Sequence, residues 1–259
     1  MIIDAHVHIT ENGEWFNTNH NASVERLIKS IGESEIDKAV VLPIAPFISN
    51  EFVAKVCSEY PDKLIGFASV NPLESDAVKK LEEDVVKYDL KGLKLHPKLQ
   101  EFQLDNPNVL LVIEKAAELN IPVLIDAWIG SKDVEHQDLI SSIGRVANKT
   151  PSAKIILPHL GGFNYNEIPQ IAHDNDNIYF DLSLVLTYFD RKTIYDHIVP
   201  IMKDIGANRL IYGSDYPEIN LENYYIFTSK LIKKIFNQQE KKLVFGGTMD
   251  NLINMRQEV

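Results

Sequence analysis

The sequence predicts an α/β protein folded as a (β/α)8 TIM barrel, a single domain over residues 1–259 finished by short C-terminal helices. Short apolar runs alternate with segments of helical spacing along all 259 residues. The runs are continuously apolar, which suits parallel strands buried on both faces. Their ends, taken at positions 8, 43, 70, 96, 126, 159, 182 and 214, lie about one βα unit apart, so eight units fit the chain. A doubly wound open sheet alternates in the same way, but the glycine-rich phosphate turn expected after its first strand is absent. No Gly/Ser-rich linker, internal repeat or low-complexity segment interrupts the series.

The first strand, residues 2–9, carries Asp4, His6 and His8 where aliphatics would be usual. Side chains alternate across a strand, so these three are expected on one face and Ile3, Ala5, Val7 and Ile9 on the other. Residues 10–21 are polar but hold Trp15 and Phe16, as a long loop over a site would. A helix follows over 23–31, a strand over 38–43 stopped by Pro43, a helix over Asn50–Glu59, and a strand over 64–70 before Asn71-Pro72. Residues 75–88 have helical spacing, 92–97 form a strand stopped by Pro97, and 108–119 form a helix that Pro107 suits at its start. The fifth strand and helix are 122–126 and 134–147. The sixth strand, 154–158, ends at His159 before Gly161-Gly162; the seventh is 177–182, with a helix near 191–205. The eighth, 209–213, runs into Ser214-Asp215-Tyr216-Pro217. A helix over 222–236 and two short ones within 238–259, split by Gly246-Gly247, complete the chain.

With 45% hydrophobic and 24% charged residues the chain can bury a sizeable core. A net charge of -11 with no Lys/Arg-dense stretch argues against nucleic acid as a partner. Cys57 is the only cysteine, which removes an intramolecular disulfide framework and points to a reducing compartment. It lies in the second helix, as a small core residue. No signal-peptide pattern opens the sequence, and no apolar stretch reaches the roughly 18 residues of a membrane span. A cytoplasmic setting, a small-molecule substrate and no membrane partner are expected, and a homo-oligomer is compatible with all of this.

Active sites of such barrels gather at the C-terminal strand ends, which directs attention to His6, His8, His96, Asp126, His159, Asp181 and Asp215. Imidazoles at i and i+2 stand about 6.5–7 Å apart and can converge on one ion about 2.0–2.1 Å from each nitrogen. That pairing beside Asp4 favours a metal site over two core histidines. An acid at a strand end is often a helix cap, a reading that fits Asp181 or Ser183 well and Asp215 less well. Lys94 shares a face with His96; an ion pair with Asp4 or another inward carboxylate, and a role in substrate binding, are both open for it. His20, His136, His173 and His197 lack a second ligand at useful spacing and are read as surface residues.

Four segments in order resemble the amidohydrolase superfamily, in particular the amidohydrolase-related (amidohydrolase-2) branch of metal-dependent barrel hydrolases and decarboxylases. They are Ile3-Asp4-Ala5-His6-Val7-His8, Gly92-Leu93-Lys94-Leu95-His96-Pro97, Pro158-His159-Leu160-Gly161-Gly162 and Gly213-Ser214-Asp215-Tyr216-Pro217. The segment Phe245 to Leu252 resembles the family's closing helix, with Thr248 where Asn is more usual. The resemblance implies that His6 and His8 ligate a divalent metal, zinc or alternatively manganese. It makes Asp215 a ligand or the general base, and it sets His159 beside the substrate. His96 and Lys94 are placed with the substrate-binding residues. The first reading is a metal-dependent hydrolase of a small ester, lactone or amide, in which metal-activated water attacks a carbonyl. A non-oxidative decarboxylase of the same branch is the alternative, and a barrel that has lost catalysis and acts as a binding protein is the third reading. One departure stands out. The family's fifth strand usually ends Pro-Val-x-x-His with the histidine a ligand, whereas here it reads Pro122-Val123-Leu124-Ile125-Asp126, so Asp126 is expected to substitute as a ligand with a shorter reach.

Overall fold

Eight short strands form at the predicted runs in a computed structural model that describes residues 1–16, 18–128 and 138–254. The expected helix start at 134, His136 and the last five residues of the tail lie outside the described residues. The strands are β1 (Ile3–Val7), β2 (Lys38–Val41), β3 (Leu64–Gly66), β4 (Leu93–Leu95), β5 (Val123–Ile125), β6 (Ile155–Leu157), β7 (Ile178–Asp181) and β8 (Leu210–Ile211). Every pairing is parallel, and neighbours follow sequence order in two sheets, β1-β2-β3 and β4 to β8. The sheets meet at both seams through parallel bridges, Val7 with Tyr216 and Ala68 with Leu93. His8 N–H donates to Tyr216 O at 2.7 Å and Lys94 N–H to Ala68 O at 2.7 Å. The ring of strands therefore closes as a TIM barrel.

Three of the helices between the strands begin at a side-chain cap. Ser23 accepts from Arg26 N–H at the start of α1 (Val24–Gly32), Ser49 from Phe52 N–H at α2 (Asn50–Glu59), and Asn106 from Asn108 N–H at α4 (Pro107–Glu118). Between α2 and α4 lies α3 (Ala77–Lys87), and α5 covers Leu139–Lys149. Two helices carry no clear sequence signal, α6 (Ile168–Asp174) and the one-turn α7 (Val185–Tyr188). The helix expected over 191–205 is α8 (Arg191–Thr193) and α9 (Val199–Ile205), joined by a wide turn over Ile194–Ile198. Asn220 caps α10 (Leu221–Ile235), and the tail forms α11 (Gln238–Lys242) and α12 (Thr248–Ile253). No helix among the described residues is long and apolar enough to cross a membrane.

Ile3, Ala5, Val40, Leu42, Leu124, Ile156 and Ile211, drawn from five strands, pack on one another inside the ring, and Met249, Leu252 and Ile253 of α12 plug its N-terminal end. Each such aliphatic side chain contributes about 1.5–3 kcal/mol by leaving water. Val7 and Ile9 instead join the larger cluster shared with the helices. The single alternation expected for the first strand does not hold. The β1–β2 register shifts between Asp4 and Val7, and an extra residue in a ladder turns the side chains after it to the other face.

Cys57 sits in α2 where burial pushes its thiol up to about 12, so it stays protonated near neutrality. Reaction of the native protein with a disulfide reagent at pH 8 is expected to be slow and to become fast on unfolding in guanidinium. Rapid modification of the native chain would count against this packing.

Candidate metal centre and active site

Three side chains from opposite ends of the sequence meet at the C-terminal mouth of the barrel. His6, His8 and Asp215 each present a ligand atom, and these atoms lie within 4.8 Å of one another, all three residues being buried. Pairing of β1 with the segment after β8 brings them together, since Asp215 N–H donates to His6 O at 2.9 Å. Asp215 Oδ1 is 3.3 Å from His6 Nε2 and 3.7 Å from His8 Nε2.

The other ring nitrogens fix both tautomers. His6 Nδ1 lies 2.6 Å from Asp181 Oδ2 and His8 Nδ1 lies 2.8 Å from the Leu42 carbonyl. Each Nδ1 must therefore donate, which leaves both Nε2 lone pairs facing Asp215. Burial, with His6 and Lys94 nearby, holds His8 well below the ordinary imidazole range, so its lone pair is available at neutral pH. Burial works to raise the Asp181 carboxyl, but His6 more than offsets this and keeps it below its usual value. Two neutral imidazoles with oriented lone pairs and one carboxylate fit a borderline divalent cation, and these residues would hold it.

Asp126, expected as a further ligand, stands outside this trio. Its Oδ2 is 3.3 Å from Lys94 Nζ and 3.7 Å from His159 Nε2, and its Oδ1 is 3.7 Å from His96 Nε2 while accepting from Trp128 N–H at 3.2 Å. The carboxylate is surrounded by donors, and the short side chain spends its lone pairs on them. Burial opposes its charge, but His96, Lys94 and His159 together hold the carboxyl well below the usual range. Lys94, fully buried, thus takes the ion-pair role with Asp126 rather than with Asp4. His96 accepts from Leu99 N–H at Nδ1, and burial lowers it to about 4, so it is a neutral ring with its Nε2 hydrogen toward Asp126.

His159 differs. Its Nδ1 lies 3.2 Å from the Ser183 carbonyl and 3.0 Å from the Ser183 hydroxyl, while Nε2 faces Asp126. Burial works against the imidazolium, but Asp126, with Asp215 and Asp181 behind it, raises His159 above the ordinary value. His159 and Asp215 both adopt left-handed backbone, with φ of 58° and 68°. Such conformations cost about 1–3 kcal/mol each and persist at sites that need a side chain aimed in one direction.

Several residues support the site in ways their sequence positions do not specify. Asp181 reads as a cap but clamps His6; an acid at a strand end with Ser183 two positions on was the available signal. Asp4 Oδ1 accepts from Ser214 N–H at 2.8 Å and His6 N–H at 3.2 Å, tying the two ligand segments together. Trp15 stacks on His8 with ring centroids 4.8 Å apart, and its Nε1 donates to Glu218 at 2.6 Å. At Gly213 a Cβ would come within 2.9 Å of both His6 Cβ and Asp181 Oδ1. Gly213→Ala is expected to push that pair apart and weaken divalent-metal binding about ten-fold or more, the scale seen when a partner orienting a ligand is lost. Titration with Zn²⁺ or Mn²⁺ checks it.

In front of these groups lies a cavity of about 460 Å³. Trp15, Trp128 and Tyr188 supply flat apolar walls, and His8, His159 and Asp215 supply the polar floor. His20 pairs with Glu218 at the surface, whereas His173 and His197 do not line the cavity.

A sequence model described as amidohydrolase matches residues 3–248. The 2-amino-3-carboxymuconate-6-semialdehyde decarboxylase of Dictyostelium discoideum is 23% identical over 239 residues, which cover 80% of this chain and 65% of that protein. The chain thus spans less than two thirds of the length of this curated relative. An uncharacterised TIM-barrel protein of Bordetella bronchiseptica superposes with a TM-score of 0.81 at 17% identity, covering 99% of each chain. The 5-carboxyvanillate decarboxylase of Novosphingobium aromaticivorans, solved with manganese and 3-methoxy-4-hydroxy-5-nitrobenzoic acid bound, superposes at 0.75 with 15% identity over 98% of this chain and 97% of that one.

Proposed function

The chain belongs to the amidohydrolase family of enzymes, and on that premise we propose that it is a metal-dependent, non-oxidative decarboxylase of a small aromatic or enoic carboxylic acid. The observation that carries this reading is the setting of His159, whose two ring nitrogens both face acceptors, the Ser183 carbonyl at Nδ1 and Asp126 at Nε2. An imidazole flanked in this way binds a second proton more readily than a free one does, and that proton is the one it can give away. Loss of CO2 needs such a donor. The bond between the substrate carbon and its carboxylate breaks, the electron pair stays on that carbon, and the carbon takes a proton from His159 Nε2. Hydrolysis, the first reading of the sequence, begins by removing a proton from water, a step that would fall to Asp215 and for which a proton-donating His159 is not required. The decarboxylase names of the Dictyostelium relative and of the manganese-bound neighbour support the same choice.

A divalent ion held by His6, His8 and Asp215, manganese or zinc, would supply Lewis-acid attraction for the substrate's oxygens. The chain's own residues do the rest. Lys94 keeps Asp126 ionised in a buried place, and Asp126 keeps the proton on His159. Trp15, Trp128 and Tyr188 hold a planar apolar body and exclude water from it. A small-molecule substrate and the single Cys57 support a cytoplasmic enzyme.

The test is a panel of aromatic and enoic acids offered to manganese- and zinc-loaded protein in D2O. One CO2 per acid consumed, with one deuterium at the vacated carbon, is expected. Lactone or ester cleavage with oxygen from water entering the product, and no CO2 from any acid, would return the hydrolytic reading to first place.

A further inference from the structure

The one-turn helix α7 separates two cavities. Leu184 and Tyr188 face the active-site cavity, while Leu186, Thr187 and Phe189 of the same segment line a second one of about 430 Å³ on the outer side. Its floor is apolar, with Leu186, Ile194 and Leu231 buried beneath it, and Tyr195 and Phe227 leave 39% and 42% of their surface open at its edge. Arg191, Lys230 and Lys234 also line it, and among the described residues no acidic side chain does. In a chain of net charge -11, three cations around one apolar hollow are not a reflection of overall composition. None of the three takes part in an ion pair among the described residues. The Arg191 guanidinium lies 5.7 Å from the Tyr195 ring centre, which holds it at the rim.

We propose that this cavity binds an anionic amphiphile, a carboxylate carried on an apolar chain or ring, and that its occupancy is felt in the active site through α7. The volume suits a small molecule, the floor suits its apolar body, and the three cations suit its head. The route inward is short. Ser183, just ahead of α7, places its hydroxyl 3.2 Å from His6 Nδ1 and 3.0 Å from His159 Nδ1. Phe189 lies 5.7 Å from Tyr188 between ring centres, Tyr188 lies 4.7 Å from Trp128, and Trp128 lies 5.5 Å from His159. Leu184 enters α7 at a φ of 63°, a strained value for leucine. A ligand wedged against Leu186 and Phe189 therefore bears on the segment that orients two active-site imidazoles.

The experiment titrates decanoate into the metal-free full chain by calorimetry, with 1-decanol as the uncharged probe. One decanoate per chain is expected, with decanol weaker. The triple variant Arg191→Glu, Lys230→Glu, Lys234→Glu is expected to bind decanoate at least about ten-fold more weakly, since charge-assisted contacts to the head are lost. These side chains are solvent-exposed, and unchanged circular dichroism and melting, together with the milder pair Lys230→Gln and Lys234→Gln, separate lost binding from lost fold. Both tryptophans line the active-site cavity and neither lines the second, so their emission reads the coupling. An emission change with decanoate that disappears in the triple variant supports the proposal. Binding that survives the charge reversal, or no binding at all, overturns it. Binding without any change in emission removes the coupling. A dimer of the free chain that the triple variant breaks would assign this face to a second copy and overturn the small-molecule reading.

Discussion

Asp126→Ala is expected to destabilise the barrel by about 3–5 kcal/mol, because it leaves the Lys94 ammonium buried with no counter-charge. For a chain of this size that is a fall in melting temperature of roughly 6–20 °C. Lys94 is fully buried, so its ammonium depends on Asp126 for a counter-charge. The companion variant Lys94→Met removes the charge and keeps most of the side chain's volume. Combined with Asp126→Ala it is expected to recover most of the loss, since replacing both members of a buried pair costs far less than removing one. A double-mutant cycle measured by thermal and urea unfolding gives the coupling directly. Equal losses for Asp126→Ala alone and for the double variant would mean that the pair is not what Asp126 contributes, and the account of that carboxylate given above would fall.

The barrel was legible because its signal is local and repeated. Continuous apolar runs, each stopped by proline or by a polar residue, mark buried parallel strands wherever they occur, and Pro43, Pro72 and Pro97 place three of the stops. The site was legible in part for the same reason: His6, His8, His159 and Asp215 are unusual residue types at the ends of such runs. What the sequence hides is pairing. His6 and Asp181 are 175 residues apart, and the local signal at Asp181, an acid at a strand end with Ser183 two positions on, does not name its partner, so Asp181 reads as a cap. Asp126 shows the opposite failure. Its position marks the end of the fifth strand, but a carboxylate there can face inward cations as readily as a metal, and only the reach of Lys94 decides between them. The shift in the β1 ladder is hidden too, because its cause lies in how β2 meets β1 and not in β1 itself. Helices α6 and α7 are too short for a periodic signal to build up.

The same distinction sets the metal chemistry of the variants. Asp215→Ala is expected to weaken binding of Zn²⁺ or Mn²⁺ by more than about 100-fold, because losing a residue that merely orients a ligand already costs 10- to 100-fold. Asp181→Asn falls in that lower range: an amide can still meet His6 Nδ1, but it no longer carries the charge that makes the ring a better donor to the ion. Asp126→Ala is expected to change metal affinity only a few-fold, since its oxygens face Lys94, His96 and His159 and lie outside the trio of His6, His8 and Asp215. The order of the three losses, Asp215 first, Asp181 second and Asp126 last, is what competition titrations against a chelator of known affinity would read, at a temperature where every variant is folded. If Asp126→Ala lost as much affinity as Asp215→Ala, the carboxylate would have to swing from its cations to the ion on binding. The ion pair with Lys94 would then describe only the metal-free state.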